Sequence, residues 1–285
     1  MIESFLASWS LFHDVYVAGV LIALLLSLVG VAVVARDQIF LGAAVSQASL
    51  LGISIGIWLD SFLAGTSLAW LASDTTHSVI GGLSAVAGAL AITAVAPRLY
   101  ETREALTGWL FLAASSASML IVANSPHGMA EVNRLLSSTI IGANFVDVSV
   151  VATLLATTII VLAVKLRPLT LLLTDPEWAA AAGIPVARWE PAIAAWMGLA
   201  VAWSIHVTGL IFTFGTLVLP ALVAKSLVRE VRSLFFVAPL IALIAASTSF
   251  VLANGWDLPP GQVTVAILCT MQLAAWALRS QRKPR

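Results

Sequence analysis

The side chains best suited to chemistry are four histidines, His13, His77, His127 and His206, and the acids Glu3, Asp14, Asp60, Asp74, Glu131 and Asp257. Imidazole and carboxylate are donors for divalent cations. No two of the histidines have the four-residue spacing of the helical metal motif H-E-x-x-H. A second pattern, Gly52-Ile-Ser-Ile-Gly56, fits G-x-S-x-G, with His206 as a conceivable base for a Ser54 nucleophile. That motif acts in hydrolases at a strand-to-helix elbow. No such elbow and no oxyanion-hole segment is evident in this chain. No G-x-x-x-x-G-K-[ST] occurs, so the chain has no phosphate-binding loop of that kind for hydrolysing ATP. The lone thiol, Cys269, lies in an apolar run and reads as a small packing residue.

The elements that must position these groups follow from composition. The 285 residues are 60% hydrophobic and 10% charged, with mean hydropathy +1.03. Soluble domains carry roughly 25% charged residues. The bilayer is the natural solvent for such a chain. Zero net charge argues against a nucleic-acid partner, which would favour a basic balance, so lipid and protein are the expected partners. The first fourteen residues hold Glu3 and Asp14 and no basic residue, which a cleavable signal would need. The first apolar run therefore reads as a permanent span.

A membrane helix needs about 20 mostly apolar residues. Nine candidates emerge at approximately 15–35, 39–59, 78–97, 107–123, 141–164, 191–207, 209–225, 234–252 and 261–278, within a range of eight to ten. The sixth and seventh nearly touch, so Thr208-Gly209 must be a tight turn or a break. With the C-terminus inside, 13 of the 14 basic residues fall on one side: Arg36, Arg98, Arg103, Lys165, Arg167, Arg188, Lys225, Arg229, Arg232, Arg279, Arg282, Lys283 and Arg285. Only Arg134 falls opposite. Cytoplasmic loops carry the excess of Lys and Arg, so that side is cytoplasmic and the N-terminus is outside by parity. Residues 1–14 alternatively form a re-entrant or interfacial piece. All four histidines then lie at the outer side, which suits cations, although interfacial loops also tolerate histidine. The expected fold is all-α: a polytopic helical membrane protein, with residues 1–285 forming one transmembrane domain.

Asp147, near the outer end of the fifth span, is the main charge in the spans and reads as an interfacial residue at the helix entry. The scarcity of mid-membrane charge speaks against a proton-coupled secondary transporter. No inverted repeat, its usual mark, is evident. Small residues recur along the second span at helical spacing: Gly42, Ser46, Ser49, Gly52 and Gly56. Such a face allows close helix packing. It also suits a helix lining a narrow path. Gly81, Gly82, Ser84 and Gly88 of the third span read as packing residues.

The most informative stretch runs from Leu173 to Arg188, within a cytoplasmic segment of about residues 168–190. Thr174 or Asp175 can cap a helix, Pro176 suits its first turn, and Glu177 suits the positive N-terminal dipole. Gly183 can end it and Pro185 forbids its continuation. The prediction is a short helix, too short to span, placed to dock into a cytoplasmic partner.

Here the chain resembles the metal-importing ABC permeases, the membrane subunits of zinc, manganese and iron uptake systems. Those permeases carry an Asp-x-x-x-Ala-x-x-x-Gly segment, matched by Asp175, Ala179 and Gly183. Gly209, Pro220, Ala221 and Ala224 match their Gly-rich, Pro-terminated apolar stretch. Gly42, Ser46, Ala48 and Gly52 match a Gly-Asp-x-x-Ser-His-Ala-x-x-x-Gly stretch of the second span. The resemblance covers roughly residues 15–280.

It implies an ABC importer permease that is not itself an enzyme and holds no cofactor. Its implied partners are a cytoplasmic ATP-binding subunit, an extracytoplasmic solute-binding protein, and a second permease copy in a homo- or heterodimer. Asp175, Pro176, Glu177, Ala179 and Gly183 are the implied coupling residues; Ser46, Gln47, Gly52 and His206 are candidates for the translocation path. One departure matters: the family's Asp and His of the second span are Ala43 and Gln47 here. A methyl is no metal ligand and an amide is a poor one. The metal would pass hydrated or chelated, or His206 would substitute, or a partner permease would supply the missing ligands, or the substrate is not a free metal ion. The alternatives to this reading are a secondary transporter and an intramembrane serine protease.

Overall fold

The computed structural model describes residues 2–63, 74–99, 102–123 and 143–281. Among them every regular element is a helix: α1 (Ile2–Ala35), α2 (Ile39–Leu63), α3 (Asp74–Leu99), α4 (Arg103–Ala123), α5 (Phe145–Thr174), α6 (Pro176–Ala181), α7 (Val186–Thr208), α8 (Leu210–Leu227), α9 (Val231–Trp256) and α10 (Pro260–Gln281). All except α6 are long and apolar enough to cross a membrane, which gives nine candidate spans among the described residues. His127, Glu131, Arg134, Arg282, Lys283 and Arg285 lie outside the described residues, as do the side chains of Glu3, Asp60, Asp74 and Arg98.

The span limits differ from expectation where caps and kinks decide them. Residues 2–14, open to a re-entrant reading, continue α1 as helix; they contain no Gly or Pro to interrupt it. The fifth helix starts later than residue 141 because Asn144 caps it. The Asn144 side chain accepts from the Val146 and Asp147 N–H groups at 2.9 and 3.1 Å, and Asp147 accepts from the Asn144 N–H at 3.1 Å. Asp147 is thus a capping residue in the first turn, which agrees with its expected place at the helix entry. The same helix does not stop at residue 164. It kinks at Lys165 (φ −120°, ψ 20°), three residues before Pro168, and runs on to Thr174. Proline has no N–H and crowds the carbonyl four residues back, which bends a helix without ending it. Likewise α7 starts at Val186 and carries Pro191 inside it. The Pro185 carbonyl accepts from the Arg188 and Trp189 N–H groups at 2.9 and 3.2 Å and begins that helix.

Two compact units form: one holds Met1–Asp37, Ser138–Ile184 and Val207–Arg285, the other Gln38–Ser137 and Pro185–His206. In the first, α1 packs against α5, α8 and α9, and α8 against α9 and α10. At Gly30 the α1 and α8 backbones nearly touch: a Cβ there would overlap the Leu217 carbonyl. Ser249 of α9 and Thr264 of α10 share a buried hydroxyl–hydroxyl hydrogen bond, a lateral link suited to helices in lipid. In the second unit α2 packs against α3 and α4. Gly198 of α7 approaches the Val86 backbone of α3. The expected break at Thr208-Gly209 is present: Gly209 has φ +76° and separates α7 from α8.

Candidate functional site

The short helix α6 is built as its sequence dictates. Asp175 lies in extended backbone, and its Oδ1 accepts from the Glu177 and Trp178 N–H groups at 3.1 and 3.0 Å. Pro176 occupies the first helical position, where no N–H is needed. Glu177 sits in the positively polarised first turn. At the other end the Ile184 N–H reaches the Ala179 carbonyl and the Gly183 N–H reaches the Ala180 carbonyl, both at 3.0 Å. Gly183 has φ +81°, the left-handed geometry that this pair of bonds demands. Ala179 is fully buried, while Pro176, Glu177, Trp178, Ala180, Ala181, Ala182 and Gly183 are exposed. Trp178 shows 68% of its surface, so one indole stands out from a short helix with small neighbours.

The residues expected along a path lie in the second unit. Ser46 is buried, and its hydroxyl donates to the Gly42 carbonyl at 2.8 Å, satisfying itself within α2. Gln47 is buried, at 9% exposure. Gly52 sits where α2 meets α3: a Cβ there would come within 2.6 Å of the Ile80 carbonyl and 2.5 Å of the Ser84 hydroxyl. Gly56 is covered by His77, and Gly88 by Ala48 and Leu110. The small-residue face of α2 therefore serves close packing along much of its length. His206, in the last turn of α7, bonds through Nδ1 to the Ser78 hydroxyl of α3 at 2.8 Å. Its ring also meets the edge of Trp203 at 6.2 Å between centroids. Ser78 follows His77 in the chain, so two of the four histidines lie at one end of this unit.

Ser54 and His206 do not form a nucleophile–base pair. The Ser54 hydroxyl donates to the Leu50 carbonyl at 2.8 Å and meets the Ser118 hydroxyl of α4 at 2.6 Å, whereas His206 is bonded to Ser78. Among the described residues no three His, Cys, Asp or Glu side chains gather as a metal site.

Sequence reasoning missed two groups of polar contacts at helix ends. Arg103 at the start of α4 pairs with Glu190 at the start of α7 at 2.7 Å. At the C-terminal ends of α1 and α8, Lys225 pairs with Asp37 at 2.6 Å and donates to the Val34 carbonyl at 3.1 Å. Arg36 donates to the Leu172 carbonyl of α5 at 3.3 Å. The positive-inside pattern marked these cations as loop residues, but it gives no partners.

Comparison with known proteins bears on the whole chain. It is 26% identical over 262 residues to the "Probable metal transport system membrane protein" of Thermotoga maritima, covering 92% of this chain and 88% of that one. It is 22% identical over 267 residues to a manganese transport system membrane protein of Halalkalibacterium halodurans, covering 93% and 86%. The fold is that of a chain in the structure of PsaBC from Streptococcus pneumoniae in complex with Fab, with TM-score 0.78, 16% identity, and 97% and 95% of the two chains covered. With nine apolar helices among its described residues, the chain is a multi-pass protein of the bacterial cytoplasmic membrane. The ABC 3 transport family model matches residues 8–279, nearly the full length, and the chain belongs to that family.

Proposed function

We propose that the chain is the membrane-spanning subunit of an ATP-driven importer for a divalent metal ion or metal complex. A separate cytoplasmic chain would bind and hydrolyse ATP, an extracytoplasmic protein would deliver the solute, and a second permease copy would complete the path. Residues 1–285 would act as one transmembrane permease domain, with a coupling segment at about 168–190. The observation that most supports this is α6, joined with the family match: a helix too short to span, capped by Asp175, closed at Gly183, and presenting Trp178 to solvent. Such a helix suits a groove on a partner, with a large aromatic anchor among small residues. Asp175, Pro176, Glu177, Ala179 and Gly183 set its shape; Trp178 supplies its contact.

Movement of α6 on ATP binding and hydrolysis would switch access to a path in which Ser46, Gln47, Gly52 and His206 take part. Ala43 and Gln47 stand one helical turn apart on α2 and offer a methyl and a neutral amide. A bare divalent cation finds no strong ligand pair there. That favours a hydrated or chelated cargo, or a partner permease that provides the ligands.

The test is ATP-dependent uptake into proteoliposomes holding the assembled complex, with manganese, zinc and iron offered free and chelated, and with the binding protein present or absent. The proposal predicts uptake of at least one metal form that needs ATP. ATP turnover with no metal taken up in any form would overturn the substrate assignment.

A further inference from the structure

Three helix C-termini meet in the first unit, and two cations tie them in series. Arg36, just beyond α1, donates to the Leu172 carbonyl in the last turn of α5 at 3.3 Å. Lys225, in the last turn of α8, donates to the Val34 carbonyl at the end of α1 at 3.1 Å and pairs with Asp37 at 2.6 Å. Asp37 itself has φ +54°, which turns the chain immediately after α1. Each helix C-terminus carries a partial negative charge, so three side by side repel unless cations intervene. Arg36 and Lys225 are those cations, and each bridges from its own helix to the next. The order of attachment is α8 to α1, α1 to α5, and α5 directly into α6, since Asp175 begins that helix three residues after Leu172.

The attachment matters because the lower part of α5 is poorly joined to its own span. The backbone departs from helical geometry at Lys165, and Pro168 can give no N–H to the ladder. Residues 166–174 therefore form a stem beyond a kink, held sideways by buried Leu169, Leu172 and Leu173 and by Arg36. In α8 Pro220 lies between Leu217 and Lys225, but no residue inside α1 or α8 leaves helical geometry as Lys165 does, and the two helices are in backbone contact at Gly30 and Leu217. A displacement of α6 would be absorbed at the kink if it travelled up α5 alone. Through Arg36 and Lys225 it reaches α1 and α8 instead.

We propose that Arg36 and Lys225, with Asp37, are positioning residues that route motion of the coupling helix into α1 and α8. The proposal rests on the reading of α6 as the docking helix for an ATP-binding chain. Lys225 and Asp37 have side chains 41% and 80% exposed, and such a pair adds little to folding stability. Loss of the pair should therefore spare the fold and impair transmission.

The experiment uses the assembled complex in proteoliposomes and reads three quantities: the amount of ATP-binding chain retained, ATP hydrolysis, and solute moved per ATP. In Arg36→Met/Lys225→Met the ATP-binding chain stays bound and hydrolysis continues, while solute moved per ATP falls about tenfold, within the usual range of coupling between sites. Lys225→Met alone, at an exposed position, gives a smaller fall in the same ratio. Arg36→Lys, which keeps a cationic donor, restores most of it. Lys225→Asp lowers the ratio and Lys225→Asp/Asp37→Lys recovers it. An unchanged ratio in the double Met variant overturns the routing proposal. So does loss of the ATP-binding chain from the Met variants, because that would make these docking residues. Failure of the unaltered protein to retain any ATP-binding chain would instead overturn the docking reading of α6.

Discussion

Ser78 and His206 are joined by a 2.8 Å hydrogen bond that ties the start of α3 to the last turn of α7. Ser78 is 9% exposed, so the bond is largely sheltered. A double-mutant cycle with Ser78→Ala and His206→Ala, read by thermal unfolding in detergent, should give a coupling energy of about 1 kcal/mol. If His206 also serves the path, His206→Ala lowers uptake more than Ser78→Ala does. Equal uptake in both variants would leave His206 a purely structural residue.

Ser54 tests the hydrolase alternative. Its hydroxyl is engaged by Leu50 and Ser118 and is fully buried. Ser54→Ala should leave uptake unchanged and cost about 1 kcal/mol in unfolding free energy. The unaltered protein should show no labelling by serine-directed fluorophosphonate probes. Labelling that disappears in Ser54→Ala would contradict the transport account.

Gly183 and Asp175 hold the two ends of α6. At φ +81°, Gly183→Ala should cost about 1–2 kcal/mol locally, and Gly183→Pro more, since proline requires a negative φ. Asp175→Ala removes the acceptor for two N–H groups and should cost about 1 kcal/mol. Because α6 is an exposed appendage, these losses should appear as weaker retention of the ATP-binding chain with membrane insertion intact. Full retention and full uptake in Gly183→Pro would show that the shape of α6 is not used.

Trp178 is the opposite case, a residue that the fold does not use. At 68% exposure its removal should leave the unfolding midpoint nearly unchanged. Trp178→Ala should nevertheless weaken binding of the ATP-binding chain by about 2 kcal/mol or more, the size found for buried aromatic anchors at interfaces. A titration of the purified ATP-binding chain against the reconstituted permease measures this directly.

Two glycines separate packing from tolerance. Gly52→Ala sets a methyl against the Ile80 carbonyl and the Ser84 side chain, and overpacking of this kind costs about 1–3 kcal/mol. Gly108 of α4 has open space where a Cβ would go, so Gly108→Ala should be neutral or stabilise by about 0.5–1 kcal/mol. Thermal unfolding of the two variants should move in these different directions.

Much of this architecture is legible in the amino-acid order. Apolar run length set the nine spans found among the described residues, and Gly209 marked the break between α7 and α8, because few other residues adopt φ +76°. The ends of α6 were readable from Asp175, Pro176 and Gly183, since caps are local chemistry. What was not readable depends on contacts distant in sequence. Nothing near Arg36 indicates a bond to Leu172, 136 residues away, and nothing near Lys225 indicates Asp37. The kink at Lys165 was hidden because the residues beyond it remain helical, so the end of the membrane run looked like the end of the helix. The small-residue face of α2 fits both packing and a path by composition alone. Only its neighbours Ile80, Ser84 and His77 show that packing fills much of it.

The most direct test of the central claim is the composition of the native complex. The tagged chain would be extracted from native membranes in mild detergent, and its co-purifying chains identified by mass spectrometry. The account predicts an ATP-binding chain that is retained by the unaltered protein and lost or weakened in Trp178→Ala and Gly183→Pro. A preparation without any ATP-binding chain, under conditions that keep a control ABC complex intact, would contradict it.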